Sequence, residues 1–274
     1  MSSKARIGLL VAVHIVAGLL SAWYANTANS HGMSPAVDEL MFIGLYALVY
    51  AQAGLIGIWS GLSTTRLEWR LPAVVAATAF VCIANTGGGT RVAFLWIALV
   101  AWPILLVLIS LRHSRLGLQL AHLPNGLTVS KRFQFTIRHV LLATGVVAVV
   151  LGMGRGVRSI NNLNTVAVMT YPPCFVMVEL ATLWATLGVG RPLPRLAVVV
   201  PTAFGVGTLA TYNVYGRFEQ AGFGSLWMLW SAALGLQAII TAVSLLVVRS
   251  CGWRMVSGAE STVMLAPEPI SAEK

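Results

Sequence analysis

Apolar residues fall into eight long runs separated by short polar, basic or glycine-rich connections: Ile7–Tyr24, Val37–Trp59, Leu71–Asn85, Val92–Leu111, Val140–Met153, Val166–Leu187, Leu196–Tyr212 and Leu226–Val248. A helix needs about 20 mostly apolar residues to cross roughly 30 Å of hydrocarbon, where its backbone amides find no partner but each other. The third and fifth runs are short. Leu67 and Trp69 extend the third, and Phe133, Phe135 and Ile137 the fifth; short spans also stand more upright or thin the bilayer. The pattern predicts an all-α, polytopic helical membrane protein of about eight transmembrane helices.

The basic residues between the runs orient these helices. With the amino terminus inside, fourteen Lys and Arg fall in cytoplasmic segments, and only Arg91, Arg155, Arg158 and Arg217 lie in outer loops. That bias follows the positive-inside rule, and removing or adding one internal span would scramble it. The expected placement is therefore the cell inner (cytoplasmic) membrane, with both termini cytoplasmic. Residues Ser21 to Ala28 offer no good pair of small residues for cleavage, so the first run is expected to be retained as a span. Neither end carries a lipidation motif.

Composition excludes a soluble fold: 57% of the 274 residues are hydrophobic and 9% charged, against about 25% charged in an ordinary soluble domain. A net charge of +10 would suit nucleic acid if it formed one patch, but the basic residues are scattered in small groups. The partner they imply is the lipid bilayer, including its anionic headgroups, and not nucleic acid. Cys82, Cys174 and Cys251 are isolated, so they read as small hydrophobes, with no disulfide framework or zinc site. The glycines between Asn85 and Arg91 read as a tight outer turn, since a phosphate loop would need a following Lys-Ser/Thr after a strand. The stretch His113–Arg138 mixes leucines with basic residues and is expected at the membrane surface. Residues 251–274, rich in Ser, Ala, Glu and Pro, are expected to form a disordered cytoplasmic tail.

Residues 46–80 resemble residues 171–204. A shift of 125 positions pairs Tyr46 with Tyr171, Trp59 with Trp184, Arg66 with Arg191 and Arg70 with Arg195. After a one-residue gap at Pro72, Thr78-Ala79-Phe80 meets Thr202-Ala203-Phe204. Matched Val and Ala carry little weight in apolar runs, whereas Trp and Arg at the same spacing carry more. Both copies are span, basic turn, span in the same orientation, which predicts two parallel four-span halves, 1–130 and 131–250. Parallel repeats occur in transporters with a site between the halves, and duplication equally builds a plain helical bundle.

Glu179 is the acidic residue set well inside a span. A carboxylate there costs several kcal/mol unless paired, hydrated or protonated. It reads either as a proton or cation site between the halves, or as a protonated acid bonded to a neighbouring helix through Gln52, Tyr212 or Gln237. Tyr171-Pro172-Pro173 lies one turn into the same span, where proline frees carbonyls that either bind a cation or accompany a structural kink. Glu179, Tyr171, Pro172 and Gln52 are thus the candidate binding residues. His14 and His139 differ in depth, which argues against a haem held between them. No cofactor, metal site or catalytic residue is expected: the chain lacks HExxH, a GxSxG nucleophile with a matched His, and an acidic pair for phosphate chemistry. An enzyme is disfavoured on those grounds.

Two stretches carry a resemblance. Phe133-Gln134-Phe135-Thr136-Ile137-Arg138 runs through His139-Val140-Leu141-Leu142-Ala143-Thr144 into Gly145–Gly152. It resembles an FQFSLRxLL box that introduces a span in uncharacterised planctomycete-type multi-pass membrane proteins. Ala51 to Trp59, followed by Trp69-Arg70-Leu71-Pro72, is similar to a second pattern of those proteins. This chain has Thr136-Ile137 and His139 where the box has Ser-Leu and Thr. The resemblance implies an integral membrane protein and carries over no functional residue. The expected role is scaffold, sensing or assembly, with a small-solute or ion transporter using Glu179 as the alternative.

Overall fold

The computed structural model describes residues 2–31, 35–63, 66–85, 90–113, 119–122, 165–188, 190–215 and 223–256. They form seven helices and two short strands: α1 (Ser3–His31), α2 (Pro35–Leu62), α3 (Leu67–Asn85), α4 (Thr90–His113), β1 (Gln119–His122), α5 (Thr165–Leu187), α6 (Pro192–Tyr215), α7 (Phe223–Ser250) and β2 (Trp253–Val256). Each helix contains one of the predicted apolar runs. The fifth run, Val140–Met153, and the box from Phe133 lie outside the described residues. Five helices, α1, α2, α4, α6 and α7, are long and apolar enough to cross a membrane. The chain is a helical membrane protein.

Helices α2, α4, α5 and α7 pack around a common core, in which Tyr50, Ile104, Leu108, Phe175, Leu187 and Leu234 are buried. Helix α3 packs on α2 and α4, and α6 on α5 and α7. Helix α1 lies outside, touching α2, α3 and α7. Its Leu9, Val13, Val16, Leu19 and Leu20 are exposed, as are Val198 and Leu209 of α6. Such surfaces suit hydrocarbon, which solvates them as well as a protein interior would.

Glycines set how closely the central helices approach. A Cβ on Gly57 of α2 would lie 2.6 Å from the Ala101 carbonyl oxygen of α4, and one on Gly61 would lie 2.5 Å from Leu108 Cβ. This Gly-xxx-Gly row lets α2 and α4 meet backbone to backbone. Gly207 of α6 does the same against Ser231 of α7, and Gly235 of α7 receives the Phe204 ring.

Arginines close one end of the bundle. Arg249, in the last turn of α7, donates to the carbonyl oxygens of Thr186, Gly188 (2.8 Å) and Gly190, so it caps the carboxyl end of α5. Arg112, in the last turn of α4, donates to the Ser63 carbonyl just beyond α2. Of the Trp–Arg pairs aligned by the 125-residue shift, Arg195 lies over the Trp184 ring at 4.5 Å. Arg70 instead donates to the Ser60 carbonyl at 2.9 Å, and Trp59 is exposed.

The expected disordered tail requires correction at its start. Gly252, at φ +89°, turns the chain out of α7 in a conformation that favours glycine. Trp253–Val256 then pairs antiparallel with Gln119–His122. The two segments satisfy each other's backbone groups, which composition does not register. The remaining residues, 257–274, lie outside the described ones.

The close glycine contact has a measurable consequence. Gly57→Val should destabilise the protein by about 1–3 kcal/mol through overpacking, whereas Gly44→Ala, whose added Cβ meets nothing within 4 Å, should be neutral or slightly stabilising. Unfolding by SDS in mixed micelles compares the two.

Candidate functional site

Every fourth residue of α5 from Tyr171 faces the core: Tyr171, Phe175 and Glu179 are all buried, and Glu179 is 0% exposed. Its carboxyl group meets α7, where Oε1 accepts hydrogen bonds from Gln237 Nε2 at 2.6 Å and Thr241 Oγ1 at 2.8 Å. Gln237 and Thr241 stand one turn apart, so a single oxygen receives both donors. The third wall is Gly54 of α2. A Cβ there would lie 2.5 Å from Glu179 Oε1 and 2.7 Å from its Cγ, so glycine leaves the notch the side chain fills. Glu179 Oε2 and Gln237 Oε1, both buried, find no hydrogen-bond partner among the described residues.

Aromatic rings close this cluster on the amino-terminal side of α5. Tyr171 stacks on Trp230 at 3.6 Å between centroids and 14° between planes, and Phe175 stacks on Tyr50 at 4.0 Å and 20°. Tyr46 meets Trp230 edge-on at 6.0 Å. On the other side of Glu179, Thr182 and Thr186 are buried, but each hydroxyl donates to its own helix, to the Val178 and Thr182 carbonyls at 2.7 Å. Such back-bonding leaves no hydroxyl proton for a ligand. A buried polar seam thus runs along α5 from Glu179 to the Arg249 cap.

Two of the anticipated partners are elsewhere. Gln52 turns away from Glu179 toward α1, where its Nε2 donates to the His14 carbonyl at 2.9 Å. Tyr212 is 75% exposed on α6. Gln237 is the partner among the three proposed, and Thr241 and Gly54 complete the site. The i, i+4 pair Gln237 and Thr241 in a mostly apolar span was the available signal for Thr241. Gly54 carried no such signal, since its role lies in what fits beside it.

Pro172 and Pro173 lie within a continuous helix, and both are buried. Lacking N–H groups, they leave the Val168 and Met169 carbonyls without intrahelical donors. Tyr171 is held by its ring, and its hydroxyl has no partner among the described residues. His14 Nε2 lies 2.9 Å from Ser244 Oγ, and Ser244 gives its own proton to the Ile240 carbonyl. His139 lies outside the described residues. Among the described residues, no three His, Cys, Asp or Glu side chains gather as a metal-binding set. No family model, curated protein or solved structure matches the chain.

The fit of Glu179 into the Gly54 notch makes the two positions interdependent. Gly54→Val alone should be strongly destabilising, and Glu179→Ala alone should cost about 0.6 kcal/mol for each lost interhelical hydrogen bond, plus the loss of packing. Together they should cost less than their sum, by about 0.5–3 kcal/mol. A double-mutant cycle read by thermal unfolding in detergent measures this, and strict additivity would remove the contact from the account.

Proposed function

We propose that this is an inner-membrane protein of eight spans with both termini cytoplasmic, acting as a scaffold, sensing or assembly component, in which Glu179 pins helices together. The supporting observation is the setting of Glu179: fully buried, bonded through one oxygen to two α7 donors, and seated in the notch at Gly54. A site that loads and releases a solute needs a route to solvent, whereas a pin needs close packing.

The parallel-halves arrangement belongs to the same proposal. Helices α2, α4, α5 and α7 at the centre, with α3 and α6 each packed on the pair nearest in sequence, suit two halves related by an axis along the membrane normal. Gly54 and Glu179 are matched positions in the duplication and touch each other, as residues near such an axis would. Span count and orientation rest on the distribution of Lys and Arg.

A second reading, a small-solute or ion transporter, is favoured by one observation. Glu179 Oε2 and Gln237 Oε1 are both buried acceptors without partners among the described residues, the kind of atom that a proton or small cation satisfies. The two readings diverge on Glu179→Gln, whose amide oxygen still accepts from Gln237 and Thr241. For a scaffold, the variant should fold within about 1 kcal/mol of the native protein, and proteoliposomes holding either form should show the same proton leak under an imposed pH gradient. Proton flux present in the native protein and lost in the variant would install the transporter instead. A green fluorescent protein fused after Lys274 should fluoresce and alkaline phosphatase at that site should be inactive; the opposite pair of results would invert the topology.

A further inference from the structure

Between α1 and the bundle lies a cavity of about 550 Å³, within the size range of ligand-binding pockets. Its walls are hydrocarbon, including Ile7, Val11 and Ile15 of α1, Leu55 and Trp59 of α2, and Ala77 of α3. At its His14 end, Gln52 donates to the His14 carbonyl and His14 Nε2 meets Ser244, while the buried His14 Nδ1 has no partner among the described residues. From Gln52 to Ser63 the cavity follows α2 for three turns, about 16 Å. With so few polar groups among so many apolar ones, this lining suits hydrocarbon better than a polar solute.

The other end differs. Ser63 and Trp253 line the cavity there. Arg112 donates to the Ser63 carbonyl, and Arg254 to the Trp253 carbonyl at 2.9 Å. Among the described residues, both guanidinium groups bond only to backbone carbonyls, which leaves their charge without an acidic partner. Lys4 and Arg6, both exposed, stand within a turn of Ile7 on α1. A hydrocarbon slot with such arginines bonded to the carbonyls of its end residues Ser63 and Trp253 matches a molecule with an apolar tail and an anionic head.

We propose that this cavity holds an acyl chain of an anionic phospholipid, with the phosphate headgroup at Arg112 and Arg254. The apolar wall takes the chain, and the rim charge selects an anionic over a zwitterionic headgroup. The site is separate from Glu179 and stands whichever role that residue has.

The full chain, purified in detergent and stripped of lipid by exhaustive exchange, is titrated with phosphatidylglycerol or with phosphatidylcholine bearing the same acyl chains. Binding is read by native mass spectrometry. One tightly held phosphatidylglycerol per chain is expected, with roughly fivefold preference over phosphatidylcholine for each engaged arginine. Ala77→Phe, which fills the cavity, should abolish the tight site, and Arg254→Gln should retain lipid while losing roughly fivefold of the preference. Should Ala77→Phe fail to fold, the native chain still decides. Phosphatidylglycerol with brominated chains should then quench tryptophan fluorescence saturably near one equivalent, ahead of the brominated phosphatidylcholine. Equal binding of the two lipids by the native chain, undiminished binding by a folded Ala77→Phe variant, or a second protein chain retained in place of lipid would each overturn the proposal.

Discussion

Helices in hydrocarbon gain almost nothing by hiding apolar side chains from one another, because lipid tails solvate leucine as well as another helix does. Association therefore depends on close backbone approach and on polar groups that have no alternative partner in lipid. Both devices meet at one point in this bundle. Gly54 withdraws its side chain from α2, Glu179 of α5 occupies the space, and Gln237 and Thr241 of α7 bind its oxygen. Three central helices are joined where burial keeps water from the carboxyl group, so separating them leaves its oxygens without these donors.

The remaining contacts extend that logic along the helices. Gly57 and Gly61 carry α2 onto α4, while Gly207 and Gly235 carry α6 onto α7. Stacked rings of Tyr171, Trp230, Phe175 and Tyr50 fill the layer beside Glu179. At the opposite end, arginines satisfy the last carbonyls of α5 and the chain beyond α2. These guanidinium groups thus cap helix ends, where the last carbonyls have no intrahelical donor.

Helix α1 is bound differently. It reaches the bundle through the His14–Ser244 and Gln52–His14 hydrogen bonds and a few close contacts, one of them Gly18 against Gln52. Apolar side chains elsewhere along it leave the cavity beneath unfilled by protein. Polar spacers hold the helix at its middle, and loose packing on the arginine side makes room for a chain of hydrocarbon. The central bundle and the peripheral helix consequently have separate chemistry: one is closed around a carboxyl group, the other opens toward lipid.

By itself the sequence determined where the long apolar helices lie, since run length and charge content are read directly: seven of the eight predicted runs coincide with helices, five of them long and apolar enough to cross a membrane. It also singled out Glu179 and named Gln237 among its partners, because a carboxyl group in hydrocarbon must find a donor. Only the tertiary structure decided that Gln52 turns to His14, that Gly54 is a notch, and that Trp253–Val256 pairs with Gln119–His122. The physical reason lies in the solvent. In water, a polar stripe marks the outer face of a helix, but in a membrane the lipid-facing and core-facing sides are equally apolar, so periodicity does not say which faces meet.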